Sequence, residues 1–210
     1  MQFTTQVQPF LNSLSNVTRA LASRPARPIL DGVLLEASAD TVTMTCTDGS
    51  MSIEATVEAS VKAEGQTVVP GRLLNDLIRR LPGEELTIRL TEANRLLVTC
   101  LSSRTSLTAM NSAEYPEIPT LSSQTVELRV ASGMLRRMIS SVVFAISTDE
   151  NRQLLTGCLL EAVSDEIRLV ALDGFRLAYQ SAPVSTQLPD NLQRFAAIVP
   201  GRVMSELARI

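Results

Sequence analysis

The stretch Gly157–Gly174, GCLLEAVSDEIRLVALDG, is an ungapped copy of Gly32–Gly49, GVLLEASADTVTMTCTDG, 125 residues earlier. Eight of the eighteen positions are identical: both terminal glycines, the Leu-Leu-Glu-Ala core and two aspartates. Each copy reads as a strand, a tight turn, a second strand, and an Asp-Gly turn into a third. A long-period repeat of this kind dictates where every other element falls. At 210 residues the chain has room for two domains of ordinary size, in agreement with the period.

The residues around each copy follow the same order. Gln2–Val7 alternates as a strand, and Gln8–Ala22 places Phe10, Leu11, Leu14, Val17 and Leu21 on one helical face. Pro25 and Pro28 end it. Strands are expected over Ile29–Ala37, Thr41–Thr47 and Met51–Val57. The pattern then recurs. Thr67–Pro70 is a short strand and Gly71–Leu81 a helix stopped by Pro82-Gly83. Glu85–Leu90, Arg95–Leu101 and Thr105–Met110 are three more strands. The first domain, 1–121, is thus two β-α-β-β-β halves. The fold class is α+β, with helices on one face and antiparallel sheet on the other.

A proline-bearing linker, Glu114–Pro119 with Ser122-Ser123, leads to the second domain, 122–210. Gln124–Val130 is expected as a strand and Ser132–Ile146 as a helix capped by Ser132. Strands follow at Leu154–Ala162, Glu166–Leu172 and Phe175–Ala182. Ile198–Arg202 then matches Val68–Arg72 at an offset of 130, the extra residues lying in the loop Val184–Arg194. By this alignment Ile210 corresponds to Arg80. The expectation is a piece of a longer chain that stops within the second helix of its second domain.

Composition removes whole classes of chemistry. The chain has no histidine, so His-based general base catalysis, Ser-His and Cys-His nucleophiles and His metal ligation are all excluded. Cys46, Cys100 and Cys158 are isolated and read as buried free thiols. No metal or cofactor is implied. A carboxylate enzyme pairing Asp48 or Asp173 with Glu36 or Glu161 is conceivable. These residues recur in both copies, however, which a single active site does not require. No run approaches the roughly 18 apolar residues of a membrane span. The opening MQFTTQVQPF has no signal-peptide pattern, so the cytoplasm is the expected location.

The net charge of −3 argues against nucleic acid until its distribution is examined. The expected helices 8–22, 71–81, 132–146 and 200–210 carry Arg19, Arg72, Arg79, Arg80, Arg136, Arg137, Arg202 and Arg209 against Asp76 and Glu206, a net +6. The rest of the chain holds eleven basic and twenty acidic residues, a net −9. Arginine is a good helix former and favours helix C-termini, which explains part of this. The other reading is a helix-lined surface that meets phosphates. With aromatic residues at 3% of the chain, base stacking is disfavoured and duplex backbone contact remains.

Taken together, the chain resembles the bacterial DNA polymerase III β subunit family, the sliding clamps. The matching residues are Arg24-Pro25 with Pro28-Ile29-Leu30, the two Asp-Gly turns, Val69-Pro70-Gly71, Tyr115-Pro116 and the run Ala171–Ala178. The resemblance implies a non-catalytic processivity factor whose three-domain chains close in pairs into a ring around duplex DNA. This chain would supply the first domain and part of the second, so the closed homodimer is not expected for it. The implied partners are duplex DNA, a polymerase subunit and a clamp loader, the last two through short hydrophobic peptides. Arg24 matches a DNA-contacting arginine. Thr148–Leu154 matches a second DNA-contacting loop, in which Gln153 and Leu154 replace the family's tyrosine pair and Arg152 is kept. Arg152, Leu155, Leu172, Gly174, Phe175, Arg176 and Leu177 fall on the family's partner-peptide pocket, and Leu107 on its subunit interface. The residues support the pocket independently. At the shared Asp-Gly turn, domain one has Thr47 and Ser50-Met51-Ser52 where domain two has Leu172 and Phe175-Arg176-Leu177. An apolar dent beside one cation suits a short peptide with hydrophobic anchors. A scaffold that binds peptides without touching DNA is the alternative.

Overall fold

The computed structural model describes residues 1–210 except 23, 26, 120–125, 164 and 188–193. The chain forms two compact units, Met1–Pro119 and Thr120–Ile210.

In the first unit, β1 (Gln2–Gln6) runs into α1 (Val7–Val17). β2 (Gly32–Ser38), β3 (Thr41–Thr47) and β4 (Ser52–Glu58) follow. β5 (Ser60–Ala63) leads to β6 (Gly65–Pro70), which runs into α2 (Gly71–Ile78), and β7 (Glu85–Leu90), β8 (Arg95–Cys100) and β9 (Ser103–Thr108) complete the set. The two expected halves are present, but they exchange strands. The first strand of each half pairs in the sheet of the other: β1 with β7, and β6 with β2. Two antiparallel sheets result, ordered β5-β1-β7-β8-β9 and β4-β3-β2-β6, in place of one. The exchange interlocks the halves, so neither sheet is complete without both.

The core is apolar at the positions the two periodicities place inward. Phe3, Phe10, Leu14, Leu35, Met44, Leu74, Ile78, Leu86, Ile88 and Leu96 are all fully buried. α1 packs on β3, β4 and α2, and Ser15 donates to Asn75 Oδ1 at 2.9 Å across the two helices. Cys46, Cys100 and Cys158 are free and buried, as expected. Burial pushes the Cys46 thiol well above its ordinary range, with the nearby Asp31 adding to the effect.

The second unit holds β10 (Glu127–Arg129), α3 (Ser132–Val142), β11 (Gly157–Val163), β12 (Glu166–Leu172), β13 (Leu177–Pro183), β14 (Ser185–Gln187), β15 (Arg194–Pro200) and α4 (Gly201–Leu207). Its sheet β13-β12-β11-β15 reproduces β4-β3-β2-β6 strand for strand, and the pair β10-β14 reproduces β1-β5. Ile139, Val142, Cys158, Ile167, Leu169 and Met204 form its core.

Several boundaries differ from the sequence reading for local reasons. Pro28–Asp31 and Gln153–Thr156 are 3-10 turns, not strand starts. Helix α1 stops at Val17 and tightens into a 3-10 turn at Thr18–Ala20, with the Thr18 hydroxyl donating to the Ser15 carbonyl. Helix α3 likewise tightens at Val143–Ala145. Ser132 does not cap α3: the N-cap is Ala131, with no side-chain bond. Helix α4 closes at Leu207, with Ala208 as its C-cap, so Ile210 lies past the helix and not within it. The linker serines 122–123, residues 124–125 of the expected strand and most of the loop before β15 lie outside the described residues.

Candidate functional site

Two surfaces carry the residues singled out from the sequence. One is the exposed side of the helices. All eight helix-associated arginines are exposed. With the observed bounds, however, only Arg72, Arg136, Arg137 and Arg202 lie within helices, against Asp76 and Glu206. Arg19, Arg79, Arg80 and Arg209 sit in the turns that close α1, α2 and α4, where the partial negative charge of a helix end favours a cation. Half of the basic layer therefore has an ordinary electrostatic origin.

In the first unit, Arg72 Nη2 donates to the Ala22 carbonyl at 2.8 Å. That bond fastens the start of α2 to the loop carrying Arg24, which is exposed. Arg79 and Arg80 stand at the other end of α2, about 10 Å away along the axis. In the second unit, Arg136 and Arg137 lie on the first half of α3, and Arg202 on the first turn of α4, which packs against α3.

The other surface is the turn Asp173–Arg176 in the second unit. Asp173 Oδ1 accepts the backbone N–H groups of Phe175 at 2.9 Å and Arg176 at 3.1 Å. Asp48 Oδ1 accepts those of Ser50 and Met51 in the same way, both at 2.8 Å. Gly49 and Gly174 have φ of +92° and +95°, conformations open to glycine and strained for other residues. Asp and Gly are thus turn-forming in both copies. The Phe175 amide, followed by the Arg176 amide and guanidinium, holds the Asp173 carboxyl below its ordinary value against partial desolvation. The carboxylate-enzyme reading loses its aspartates to these turns. Glu161 is buried in an ion pair with Arg194, and among the described residues no cluster could hold a metal ion.

What differs between the copies is presented outward. Phe175 is 98% exposed and Leu177 65%. Arg176 is fixed by Asp173, Nε to Oδ2 at 2.9 Å, and its guanidinium stands 5.6 Å from the Phe144 ring centroid. A depression of about 300 Å³ lies beside this turn, lined by Ile146, Ser147, Thr148, Asp149, Arg152, Asp173, Phe175 and Arg176. Arg152 pairs with Asp149 at 3.6 Å, and its Nη1 lies 3.0 Å from where a Cβ on Gly174 would sit. Arg152 is therefore a wall of this depression. Gln153 is exposed at the start of the following 3-10 turn.

The expected pocket set is thus divided. Arg152, Phe175 and Arg176 line the depression, with Gly174 under Arg152. Leu172 and Leu177 face each other across β12 and β13 on the outer side of the sheet, and Leu155 is half-buried within the 3-10 turn Gln153–Thr156. Phe144, Ile146 and Ser147 were missed, while Thr148 and Asp149 fell within the expected loop Thr148–Leu154 but outside the expected pocket. Only Phe144 left a trace in the sequence, as a large apolar residue off the buried stripe of its helix. Leu107 is 6% exposed and packs inward opposite Leu96. What β9 leaves open at the end of its sheet is a backbone edge, not this side chain.

The same arrangement is found in known proteins. The family model described as DNA polymerase III beta subunit, N-terminal domain, matches residues 1–119, and the central-domain model matches 129–210. The beta sliding clamp of Salmonella typhimurium is 36% identical, and that of Staphylococcus epidermidis 32%, each over the whole of this chain. The chain spans 56% of the length of both relatives. The solved sliding clamp of Bacillus subtilis superposes with a TM-score of 0.93 at 26% identity, and the Pseudomonas aeruginosa DNA polymerase III beta subunit with 0.91 at 32%. Both superpositions cover all of this chain and 56% of the other. In sequence and in fold, over both of its units, this chain belongs to the DNA polymerase III beta subunit family.

Proposed function

We propose that this chain is part of a sliding clamp, a non-catalytic factor that encircles duplex DNA and tethers a polymerase for processive synthesis. The observation that carries the proposal is the repetition of one architecture with arginines on the exposed side of its helices in both units. Arg24, Arg72, Arg79 and Arg80 in the first unit, and Arg136, Arg137 and Arg202 in the second, meet backbone phosphates without reading bases. Arg152 and Gln153 serve the loop beside the depression. Within a clamp, the open edge of β9 is the part of the first unit suited to join a second subunit.

The partner site is the turn at Gly174 and its depression. A short peptide would lay an apolar side chain against Phe175, Leu172 and Leu177 and an acidic or carbonyl group on Arg176. Loading onto primed circular DNA tests the whole reading. In a clamp carrying this sequence, Arg24→Glu with Arg79→Glu should abolish retention on DNA while a labelled clamp-binding peptide still binds. Unchanged retention would leave only the scaffold that takes peptides without DNA.

A further inference from the structure

The repeat contains two positions whose residues differ together between the units. At an offset of 125, Phe144 corresponds to Arg19 and Arg176 to Met51. Each first position lies in the 3-10 turn that follows the first helix of its unit, Thr18–Ala20 or Val143–Ala145. Each second position ends an Asp-Gly turn: the Asp48 N–H donates to the Met51 carbonyl, and the Asp173 N–H to that of Arg176. The turns share their backbone, but the side chains lie differently. Met51 is buried, at 8% exposed. The Arg176 side chain is 59% exposed and Phe144 is 56% exposed. A turn that folds around a methionine in one unit has no structural need of an arginine and a ring in the other.

An exposed arginine ordinarily samples many rotamers, and fixing one during binding lowers affinity. Arg176 is fixed before any ligand arrives. Asp173 uses both of its oxygens: Oδ1 accepts the two turn amides, and Oδ2 accepts the Arg176 Nε–H at 2.9 Å. The guanidinium carbon stands 5.6 Å from the Phe144 ring centroid, within the range of a cation–π contact. Arginine suits such a place, because its flat guanidinium stacks on a ring while its edge still donates. Asp173 engages Nε, and the Nη groups remain as donors for a ligand. Arg176 lines the depression together with Arg152, and Phe144 does not. The carboxylates at the same depression are Asp149 and Asp173, each paired with one of these arginines.

We propose that Phe144 is a positioning residue for the partner site: with Asp173 it holds the Arg176 guanidinium at the edge of the depression, so that a peptide oxygen meets a donor already in place. This role rests on the depression being the site of a partner peptide with apolar anchors. Phe144 acts through Arg176, and its contribution to binding vanishes when that arginine is removed.

The test is titration of the intact chain with an end-labelled short peptide carrying leucine anchors and an aspartate. Phe144→Leu should weaken binding about threefold or more, and Phe144→Tyr, which keeps the ring, should leave it unchanged. Exposed positions tolerate such changes without loss of the fold. Arg176→Met places the first unit's residue at this position and should weaken binding further. In that background Phe144→Leu should cause no additional loss, since no guanidinium is left to position. Equal losses in both backgrounds, or none in either, would overturn the positioning role while leaving the partner site standing. No binding by the unsubstituted chain at roughly 1 mM peptide would overturn the partner site and the positioning role together. A further readout needs no peptide. In the isotope-labelled chain, Phe144→Leu should shift the Arg176 Nε–H signal and speed its exchange with solvent, and an unchanged signal would show that the ring does not hold the guanidinium.

Discussion

At the scale of single residues, the two Asp-Gly turns separate geometry from function. Gly49 and Gly174 share a positive φ, so alanine at either should cost about 1 kcal/mol of stability. At Gly174 the added methyl also meets Arg152 Nη1, whereas around Gly49 nothing lies within 4 Å. Thermal melts should therefore show similar losses for Gly49→Ala and Gly174→Ala, while only the latter changes peptide binding at the depression. Tyr115 makes a second residue-scale prediction. Its phenol is raised well above the ordinary value, first by burial and then by Cys46. A raised folded-state value means stability that is present below the unfolded pKa of about 10 and lost as pH rises past it. Tyr115→Phe should cost about 1 kcal/mol at neutral pH and flatten the loss of stability in alkali. An unchanged alkaline melting profile would show that Tyr115 does not carry that dependence. The turn carboxylate works in the opposite sense. Asp173 is held below its ordinary value, so the turn is intact above pH 4 and loosens only as pH falls through the lower folded value.

At the scale of elements, the repeat made the hairpins legible and left their surroundings obscure. Strands β3 and β12 stand where alternation placed them, because each has one face on helices and one outward. The short edge strands β5 and β14 were not read, since SVKA and STQ carry no apolar run. Ile29-Leu30 and Leu154-Leu155 looked like strand beginnings, yet both lie in 3-10 turns, a distinction that apolarity alone does not make. The candidate depression was half legible. Phe175 and Arg176 stood out as departures from the first copy. Phe144, Ser147 and Asp149 come from a different part of the chain and were brought there by packing. The exchange of β1 and β6 between halves was invisible to periodicity, which reports the character of a strand and not its neighbour. Gly32→Ala should be severe, because the new Cβ would stand 2.3 Å from Val68 Cγ1 in a fully buried seat. A loss of about 2–3 kcal/mol is expected in denaturant melts of the first unit. Gly157→Ala should be costly as well, because the new Cβ would meet the Val199 backbone oxygen at 2.9 Å in addition to Ile198 Cγ2 at 2.5 Å.

At the scale of the whole molecule, the claim is that arginines on a mostly acidic chain of net charge −3 hold duplex DNA through its phosphates. The arginines at helix ends have an electrostatic reason to be there, so their position alone does not decide the matter. Salt dependence does. Duplex affinity of the chain should be independent of base sequence and should fall steeply as salt is raised. Replacing Arg79 and Arg80 with alanine should lower the log–log slope by about 2, close to one counterion for each lost phosphate contact. A slope unchanged by the double substitution, or an affinity that depends on base sequence and not on salt, would contradict the account.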